Sequence, residues 1–127
     1  MRTDTPLTEQ QCWRLLARTK VGRLAVIVDG HPDVFPINFL AKDRRIFFRS
    51  APGSKLEGLA ASPTIAFEAD GRRLTYRWSV VIKGSAHRLD RDDEIEASGI
   101  QELGTASGGV KWNYVRIDAE SITGRRL

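Results

Sequence analysis

Residues 22–40 read Gly-Arg-Leu-Ala-Val-Ile-Val-Asp-Gly-His-Pro-Asp-Val-Phe-Pro-Ile-Asn-Phe-Leu, and they predict an antiparallel β-hairpin. Residues 22–28 and 34–40 are rich in β-branched and apolar side chains, and Asp29-Gly30 between them is a typical hairpin turn. Pro36 lies inside the returning strand and cannot donate a hydrogen bond to a neighbouring strand. We therefore expect an edge, a bulge or an opening of the ladder at this proline.

The same reading extends outward to the rest of the chain. Thr8 and Gln11 form a capping box, which predicts a helix start. Gly84 interrupts the longest apolar run and marks a possible bulge that bends the strand. We predict helices at 7–19, 54–61 and 92–103, and further strands at 45–49, 64–70, 74–89, 110–117 and 121–124. Because short turns join most strands, we expect a mainly β (α+β) fold, a small closed or nearly closed antiparallel barrel.

Composition narrows the class of protein. The 127 residues suggest a single domain spanning 1–127, with 41% hydrophobic residues and a net charge of +4. The basic residues are dispersed rather than gathered in a block, so the charge suits an anionic small ligand as well as a nucleic acid. No apolar signal core or membrane-length run is present, and the single cysteine suits a reducing compartment. We expect a cytoplasmic protein.

Reactive residue types form no familiar motif in the sequence. Cys12 follows the apolar spacing of the first helix, and we interpret it as a small buried hydrophobe. His31 and His87 have no metal-ligand spacing, and the acidic residues at 90–94 are explained by a helix start, so we predict no metal site. We can assemble no Ser/His/Asp or Cys/His catalytic set, and the catalytic residues are unknown at this level.

Four polar residues, Arg49, Ser50, Ser54 and Lys55, flank a Pro-Gly break between a predicted strand and a predicted short helix. Ser54 occupies the N-cap position of that helix. Two cations, two hydroxyls and the free N–H groups of a helix start suit a phosphate group. A polar strand-to-helix loop with solvated charges explains the same residues equally well, and neither a Walker loop nor a dinucleotide fingerprint is present.

Two further segments could form walls for a flat ligand. Around Pro36, Ile37 and Asn38, the missing backbone donor leaves a neighbouring group free to bond a planar heterocycle. The segment 78–80, Trp-Ser-Val, could offer stacking and one hydrogen bond. Taken alone, each segment is better explained structurally, the first as an edge strand with a bulge and the second as a core or interface tryptophan.

Taken together, these segments resemble the pyridoxamine 5′-phosphate oxidase-like flavoproteins of the FMN-binding split-barrel fold, in particular short actinobacterial-type members. The resemblance covers nearly the whole chain in the family's order. Its motifs are Val21-Gly-Arg-Leu-Ala-Val, Pro36-Ile-Asn-Phe, Phe48-Arg-Ser-x-x-Gly-Ser-Lys-Leu, Ala66-Phe-Glu-Ala-Asp, Trp78-Ser-Val-Val-Ile-Lys-Gly and Ile122-Thr-Gly-Arg-Arg.

The resemblance implies a six-stranded antiparallel split barrel with small flanking helices, working as a homodimer with flavin in clefts at the subunit interface. It implies that Arg49, Ser50, Ser54 and Lys55 hold the phosphate and ribityl chain. It also implies that residues 36–38 (Pro36, Ile37 and Asn38) lie along the ring system, with residues 78–80 (Trp78, Ser79 and Val80) on the neighbouring strand. Where relatives often have glycine, this chain has Arg77, which would charge the cleft.

The function implied is a flavin-dependent oxidoreductase in which bound FMN transfers hydride to or from a small-molecule substrate. The resemblance does not extend to the long C-terminal segment with which pyridoxamine phosphate oxidases hold their substrate, which counts against vitamin B6 oxidation. One alternative is a reductase of the same fold that uses F420, and another is a flavin carrier without turnover. A remoter alternative is a basic nucleic-acid-binding barrel, which requires exposed aromatics among Lys and Arg. We expect neither nucleic acid nor membrane as a partner.

Overall fold

The computed structural model describes residues 4–51, 59, 63–100 and 112–127. Within these ranges the chain forms seven strands and two helices. In chain order they are β1 (Thr5–Leu7), α1 (Glu9–Ala17), β2 (Val21–Val28), β3 (His31–Lys42), β4 (Arg45–Ser50), β5 (Thr64–Arg72), β6 (Arg77–Leu89), α2 (Asp92–Ser98) and β7 (Asn113–Arg126).

Six of the strands close into a barrel. They follow one another in the order β7-β4-β3-β2-β5-β6, and β6 pairs back with β7. Every pairing is antiparallel. The short strand β1 lies outside the barrel, on the end of β7. The expectation of a mainly β, six-stranded antiparallel barrel with small helices is therefore confirmed.

The β2–β3 hairpin forms as its sequence predicts. Val28 pairs with His31 across a two-residue turn, and Asp29 and Gly30 have φ angles of 51° and 78°. Positive φ at both positions is the geometry of a type I′ turn, which matches the twist of the flanking strands. The turn between β3 and β4 has the same form, with φ angles of 53° and 58° at Asp43 and Arg44.

Pro36 lies where one ladder has opened. The β3–β4 ladder runs from the Lys42–Arg45 pair only as far as Phe39–Phe48. The N–H of Phe39 donates to the carbonyl of Lys20 (3.0 Å), on the β2 side. Because successive donors point to opposite sides of a strand, the nitrogen of Pro36 points away from β2, towards the opening. Of the three outcomes expected for this proline, the opened ladder is the one observed.

Helix α1 begins with the predicted capping box. The Thr8 hydroxyl accepts a hydrogen bond from the Gln11 N–H (3.1 Å), and the Gln11 side chain accepts one from the Thr8 N–H (2.8 Å). Cys12 and Leu16 are fully buried against the barrel. Burial raises the pKa of the Cys12 thiol above its ordinary value, and the negative charge of Glu9 raises it further by a smaller amount. The interpretation of Cys12 as a buried hydrophobe is confirmed.

The clearest errors in the predicted boundaries are at α2 and β7. Helix α2 ends at Ser98, because Gly99 adopts a left-handed conformation (φ 76°) and caps it. The two predicted strands at 110–117 and 121–124 are one continuous strand, β7. The irregularity predicted at Gly84 is present. Lys83 pairs with Ser121 and Gly84 with Ala119, so the extra residue, Glu120, lies on β7. The predicted helix at 54–61 lies outside the described residues except for Leu59, which is buried.

The barrel interior forms the main hydrophobic core. Its largest fully buried side chains include Phe48, Phe67, Leu24 and Ile82. The rings of Phe39 and Phe67 meet edge to face with centroids 4.9 Å apart. Across the described ranges, no helix is both long and apolar enough to span a membrane.

Candidate functional site

The opening between β3 and β4 brings two of the predicted segments together. Strand β4 continues past the last β3–β4 pair, and its final residues Arg49 and Ser50 pair instead with Tyr114 and Asn113 of β7. If the β3–β4 register is continued, Asn38 lies opposite Arg49. The segment 36–38 therefore lies opposite the end of β4, but the two segments are not paired by backbone hydrogen bonds.

Arg49 is held against an aromatic ring at this opening. Its guanidinium carbon lies 4.3 Å from the ring centroid of Trp112, the residue just before β7. The buried indole N–H of Trp112 has no hydrogen-bond partner within the described residues. Ser50, the next residue of β4, is 6% exposed. A fixed guanidinium next to an orphaned N–H donor fits an anionic oxygen acceptor such as a phosphate. The other two predicted phosphate ligands, Ser54 and Lys55, lie outside the described residues.

The segment 78–80 lies elsewhere in the chain. Strands β2 and β5 separate β6 from β3 in the barrel. Trp78 and Val80 are 4% and 0% exposed and belong to the core, while Ser79 between them faces outward. Within one chain, the structure therefore does not bring this segment to the β3–β4 opening. For Trp78 the burial agrees with the simpler interpretation, a core tryptophan.

A cavity of about 440 Å³ does lie at the start of β6, and we call it the mixed-charge cavity. Trp78 packs over Gly71 as its floor, since a methyl group on Gly71 would lie 2.8 Å from the indole ring. Its walls carry both signs of charge. The lining residues are Glu68, Asp70, Gly71, Arg72, Arg77, Trp78, Ser79 and Leu127.

Arg23 bridges the two carboxylates of this cavity. Its guanidinium lies 3.2 Å from Glu68 and 2.9 Å from Asp70. The pKa of Glu68 is nevertheless raised from 4.5 to about 7, first by burial, then by a hydrogen bond and the charge of Asp70, with Arg23 opposing the shift. Sequence reasoning missed this pair. Its signal was Glu68-Ala69-Asp70, because residues two apart on a strand share one face.

The structure also assembles Ser85, His87 and Asp118, a set that the sequence did not reveal. The Ser85 hydroxyl and the Asp118 carboxylate lie 3.0 and 3.5 Å from the same imidazole nitrogen, Nε2 of His87. A catalytic triad needs the hydroxyl and the carboxylate on different nitrogens. Asp118 is in addition paired with Arg45 and Arg116 at 3.4 and 3.0 Å. We interpret this set as a polar surface network.

Two further features of the surface bear on function. The outer face of β2 and β3 exposes three large apolar side chains, Val21 (46%), Ile27 (50%) and Val34 (60%). The pairings Val21–Asn38 and Ala25–Val34 put these side chains on one face of the sheet. In the described ranges, no group of three or more His, Cys, Asp or Glu side chains could hold a metal ion.

Comparison with known proteins gives consistent results. The family model described as Pyridoxamine 5′-phosphate oxidase matches residues 8–126. The FAD binding protein of Mycobacterium smegmatis superposes with a TM-score of 0.83 and 32% identity, over 97% of this chain and 98% of that one. A FAD-binding protein of Mesorhizobium loti does so with a TM-score of 0.84 and 25% identity, over 99% of both chains.

A curated sequence relative extends the comparison. An uncharacterized protein of Mycobacterium tuberculosis is 33% identical over 88 residues, which are 69% of this chain and 80% of that protein. The match to the family model covers nearly the full length and includes every strand of the closed barrel. The chain therefore belongs to the pyridoxamine 5′-phosphate oxidase-like family.

Proposed function

We propose that this protein binds a flavin at the β3–β4 opening and acts as a flavin-dependent oxidoreductase. The observation that carries the proposal is the Arg49 guanidinium lying over the Trp112 ring, 4.3 Å from its centroid, at the end of β4 where pairing with β3 has stopped. The indole N–H of the same tryptophan is buried without a hydrogen-bond partner among the described residues. Arg49, Ser50 and Trp112 would hold the phosphate. The backbone of 36–38 would face the ring system, where Pro36 has no N–H with which to continue the ladder to β4.

The bound flavin would supply hydride transfer to or from a small-molecule substrate. The protein's own part is to bind the phosphate, align the ring along β3 and keep water from it. None of these tasks requires a general base, so the chain needs no catalytic triad for this chemistry.

We also propose that the working unit is a homodimer. The exposed apolar side chains Val21, Ile27 and Val34 form a surface of the kind that a partner covers. In one chain the segment 78–80 is remote from the β3–β4 opening. A second copy could bring its own Ser79 and Arg77 to that opening, which would complete the cleft implied by the family resemblance.

The cofactor is FMN in this proposal, with FAD and F420 as the alternatives to be tested. The Mycobacterium smegmatis and Mesorhizobium loti relatives are described as FAD-binding. FMN, FAD and F420 each carry a phosphate on the ribityl side, so the same anchor suits all three. A carrier without turnover would share this site, and that alternative would be favoured if a second copy placed its Arg77 on the substrate side of the cleft.

The nucleic-acid alternative finds less support. It requires aromatic side chains exposed among basic residues, as stacking platforms for bases. Phe47, Phe48, Phe67 and Trp78 are between 0% and 6% exposed. These rings pack in the core and are not available for stacking.

Flavin titration tests the proposal. We expect FMN to bind with quenching of its fluorescence, and Arg49→Gln to weaken FMN by about tenfold or more, because a charge-assisted contact to the phosphate is lost. Riboflavin has no phosphate, so its affinity should change far less. Parallel titrations with FAD and F420 identify the cofactor. Sedimentation of the flavin-loaded protein should give the mass of a dimer.

Arg44→Gln is the matched control, because Arg44 is an exposed arginine at the opposite end of β4 that makes one long ion pair with Glu9 (3.9 Å). It should leave FMN affinity unchanged. If none of FMN, FAD and F420 binds, the flavin proposal is wrong. If Arg49→Gln weakens riboflavin as much as FMN, the phosphate lies elsewhere. A sedimentation mass equal to that of one chain would contradict the proposed dimer.

A further inference from the structure

A second cavity lies between α1 and the turn that joins β5 to β6, and we call it the arginine cavity. Its volume is about 250 Å³. Helix α1 contributes one stripe of side chains and the β5–β6 turn contributes the opposite wall. The lining residues are Leu7, Gln11, Arg14, Leu15, Arg18, Arg73 and Tyr76.

The charge of this cavity has one sign. Arg14, Arg18 and Arg73 line it, and none of the described lining residues is an acid. Across the described ranges, no ion pair or side-chain hydrogen bond involves these three guanidinium groups. A fourth arginine, Arg126, lies over the ring of Tyr76 with its guanidinium carbon 4.2 Å from the centroid. Like charges that share a concave site repel one another until an anion enters.

A purely structural explanation accounts for part of this arrangement. Arg14 lies in the last turn of α1 and Arg18 is its C-cap residue, where a cation interacts favourably with the helix dipole. That explanation does not extend to Arg73, which comes from a different element. The β5–β6 turn directs it to the same cavity, closed by a hydrogen bond from the Arg73 N–H to the Tyr76 carbonyl (2.8 Å).

We propose that the arginine cavity binds a small phosphate-bearing anion, either free diphosphate or the diphosphate group of a nucleotide. Guanidinium groups donate paired hydrogen bonds that match phosphate oxygens. The Gln11 amide and the Tyr76 hydroxyl add neutral donors, and Leu7 and Leu15 form an apolar floor. The volume lies below the roughly 300–1,000 Å³ of sites that enclose drug-sized ligands, so it suits an anionic group better than a whole coenzyme.

Within one chain, this site lies apart from the proposed flavin site. Arg49 pairs with Tyr114 at the beginning of β7, whereas Leu7 pairs with Gly124 near its end. The two sites therefore lie at opposite ends of one long strand. Binding of an anion in the arginine cavity does not require that flavin binds at the β3–β4 opening.

Calorimetric titration of the full chain with inorganic pyrophosphate tests the proposal, at constant ionic strength. We expect one saturable site per chain that persists in Arg49→Gln. Arg73→Gln and Arg14→Gln should each weaken pyrophosphate by about tenfold, because each removes a charge-assisted contact. Arg44→Gln and Arg88→Gln remove the same charge elsewhere and should change the affinity by less than about twofold.

A second readout is the melting temperature, which pyrophosphate should raise in the wild-type chain and not in Arg73→Gln. ADP and adenosine separate the two sources of the anion. Tighter binding of ADP than of pyrophosphate assigns the site to a nucleotide, and equal or weaker binding assigns it to the free anion. The proposal is overturned if there is no saturable binding at millimolar pyrophosphate, if all four variants lose affinity equally, or if adenosine binds as tightly as ADP. Loss of the site in Arg49→Gln with retention in Arg73→Gln would equally overturn it.

Discussion

The mixed-charge cavity carries both signs of charge, whereas the arginine cavity next to it carries only one. The β5–β6 turn separates them: Arg72 and Arg77 line the first, and Arg73 and Tyr76 line the second. In the mixed-charge cavity, Arg23 forms ion pairs with the carboxylates of Glu68 and Asp70. In the second, the described residues provide no counter-charge to Arg14, Arg18 and Arg73.

This difference shows what each cavity depends on. A site whose charges compensate one another internally responds to protons, because one proton changes the balance between its groups. A site of a single sign responds instead to dissolved anions. The floors differ as well. Trp78 under the mixed-charge cavity is 4% exposed and belongs to the core, whereas Leu15 under the arginine cavity is only partly buried.

The largest expected effect is the loss of stability when the floor residue of each cavity, Trp78 or Leu15, is truncated. We expect Trp78→Ala to lower the free energy of unfolding by about 3–5 kcal/mol, because it leaves a large cavity in the core. Leu15→Ala, the matched truncation under the arginine cavity, should cost about 1 kcal/mol, since the side chain is partly solvated already. Urea unfolding followed by far-UV circular dichroism measures both. Equal losses would show that the two floors are equivalent parts of the core.

The next effect concerns pH. The pKa of Glu68 is raised from 4.5 to about 7, so the folded state holds this proton more tightly than the unfolded chain does. The resulting stabilisation is complete below pH 4.5 and is lost as the pH rises through 7. Because 36% of the side chain is exposed and solvent screens it, we expect a loss of about 1 kcal/mol or less.

Glu68→Gln should remove that part of the pH dependence, because glutamine does not titrate. Urea unfolding at several pH values between 5 and 8 measures it. Glu120→Gln, an exposed glutamate on β7, is the matched control and should retain the wild-type slope. The charged groups that share the cavity with Glu68 are Asp70, Arg23, Arg72 and Arg77. A variant with the same slope as the wild type would show that Glu68 is not the source of this pH dependence.

Local sequence signals predicted most of the barrel for identifiable reasons. The two-residue turn at Asp29-Gly30 and the capping box at Thr8 depend on neighbouring residues only, so a single sequence contains all the information they need. Pro36 indicated the ladder opening for the same reason, since its missing donor is a property of one residue. Strand β1 was not predicted, because its three residues form a strand only by pairing with the distant end of β7.

The candidate sites were less predictable, because they depend on which strands become neighbours. Nothing near Arg49 in the sequence points to Trp112, and the two meet only because β4 pairs with β7. The arginine cavity likewise joins α1 to a turn more than fifty residues later in the chain. Trp78 was interpreted as a wall of the flavin site as well as a core residue, and its spacing alone could not separate burial in one chain from contact with a second one.

The smallest expected effect is at Arg126, on the edge of the arginine cavity, where attraction to the Tyr76 ring opposes repulsion by the other arginines. The guanidinium of Arg126 over Tyr76 contributes a cation–π contact of about 0.5 kcal/mol at an exposed site. Arg126→Ala removes this contact but also removes one of several like charges. We expect a net loss of stability that grows at high salt, where repulsion is screened and only the ring contact counts. A double-mutant cycle with Tyr76→Leu isolates the contact. If Arg126→Ala instead stabilises the chain at low salt, charge repulsion among the arginines of this cavity is stronger than the contact of Arg126 with the Tyr76 ring. The arginines then destabilise the fold as long as no anion is bound.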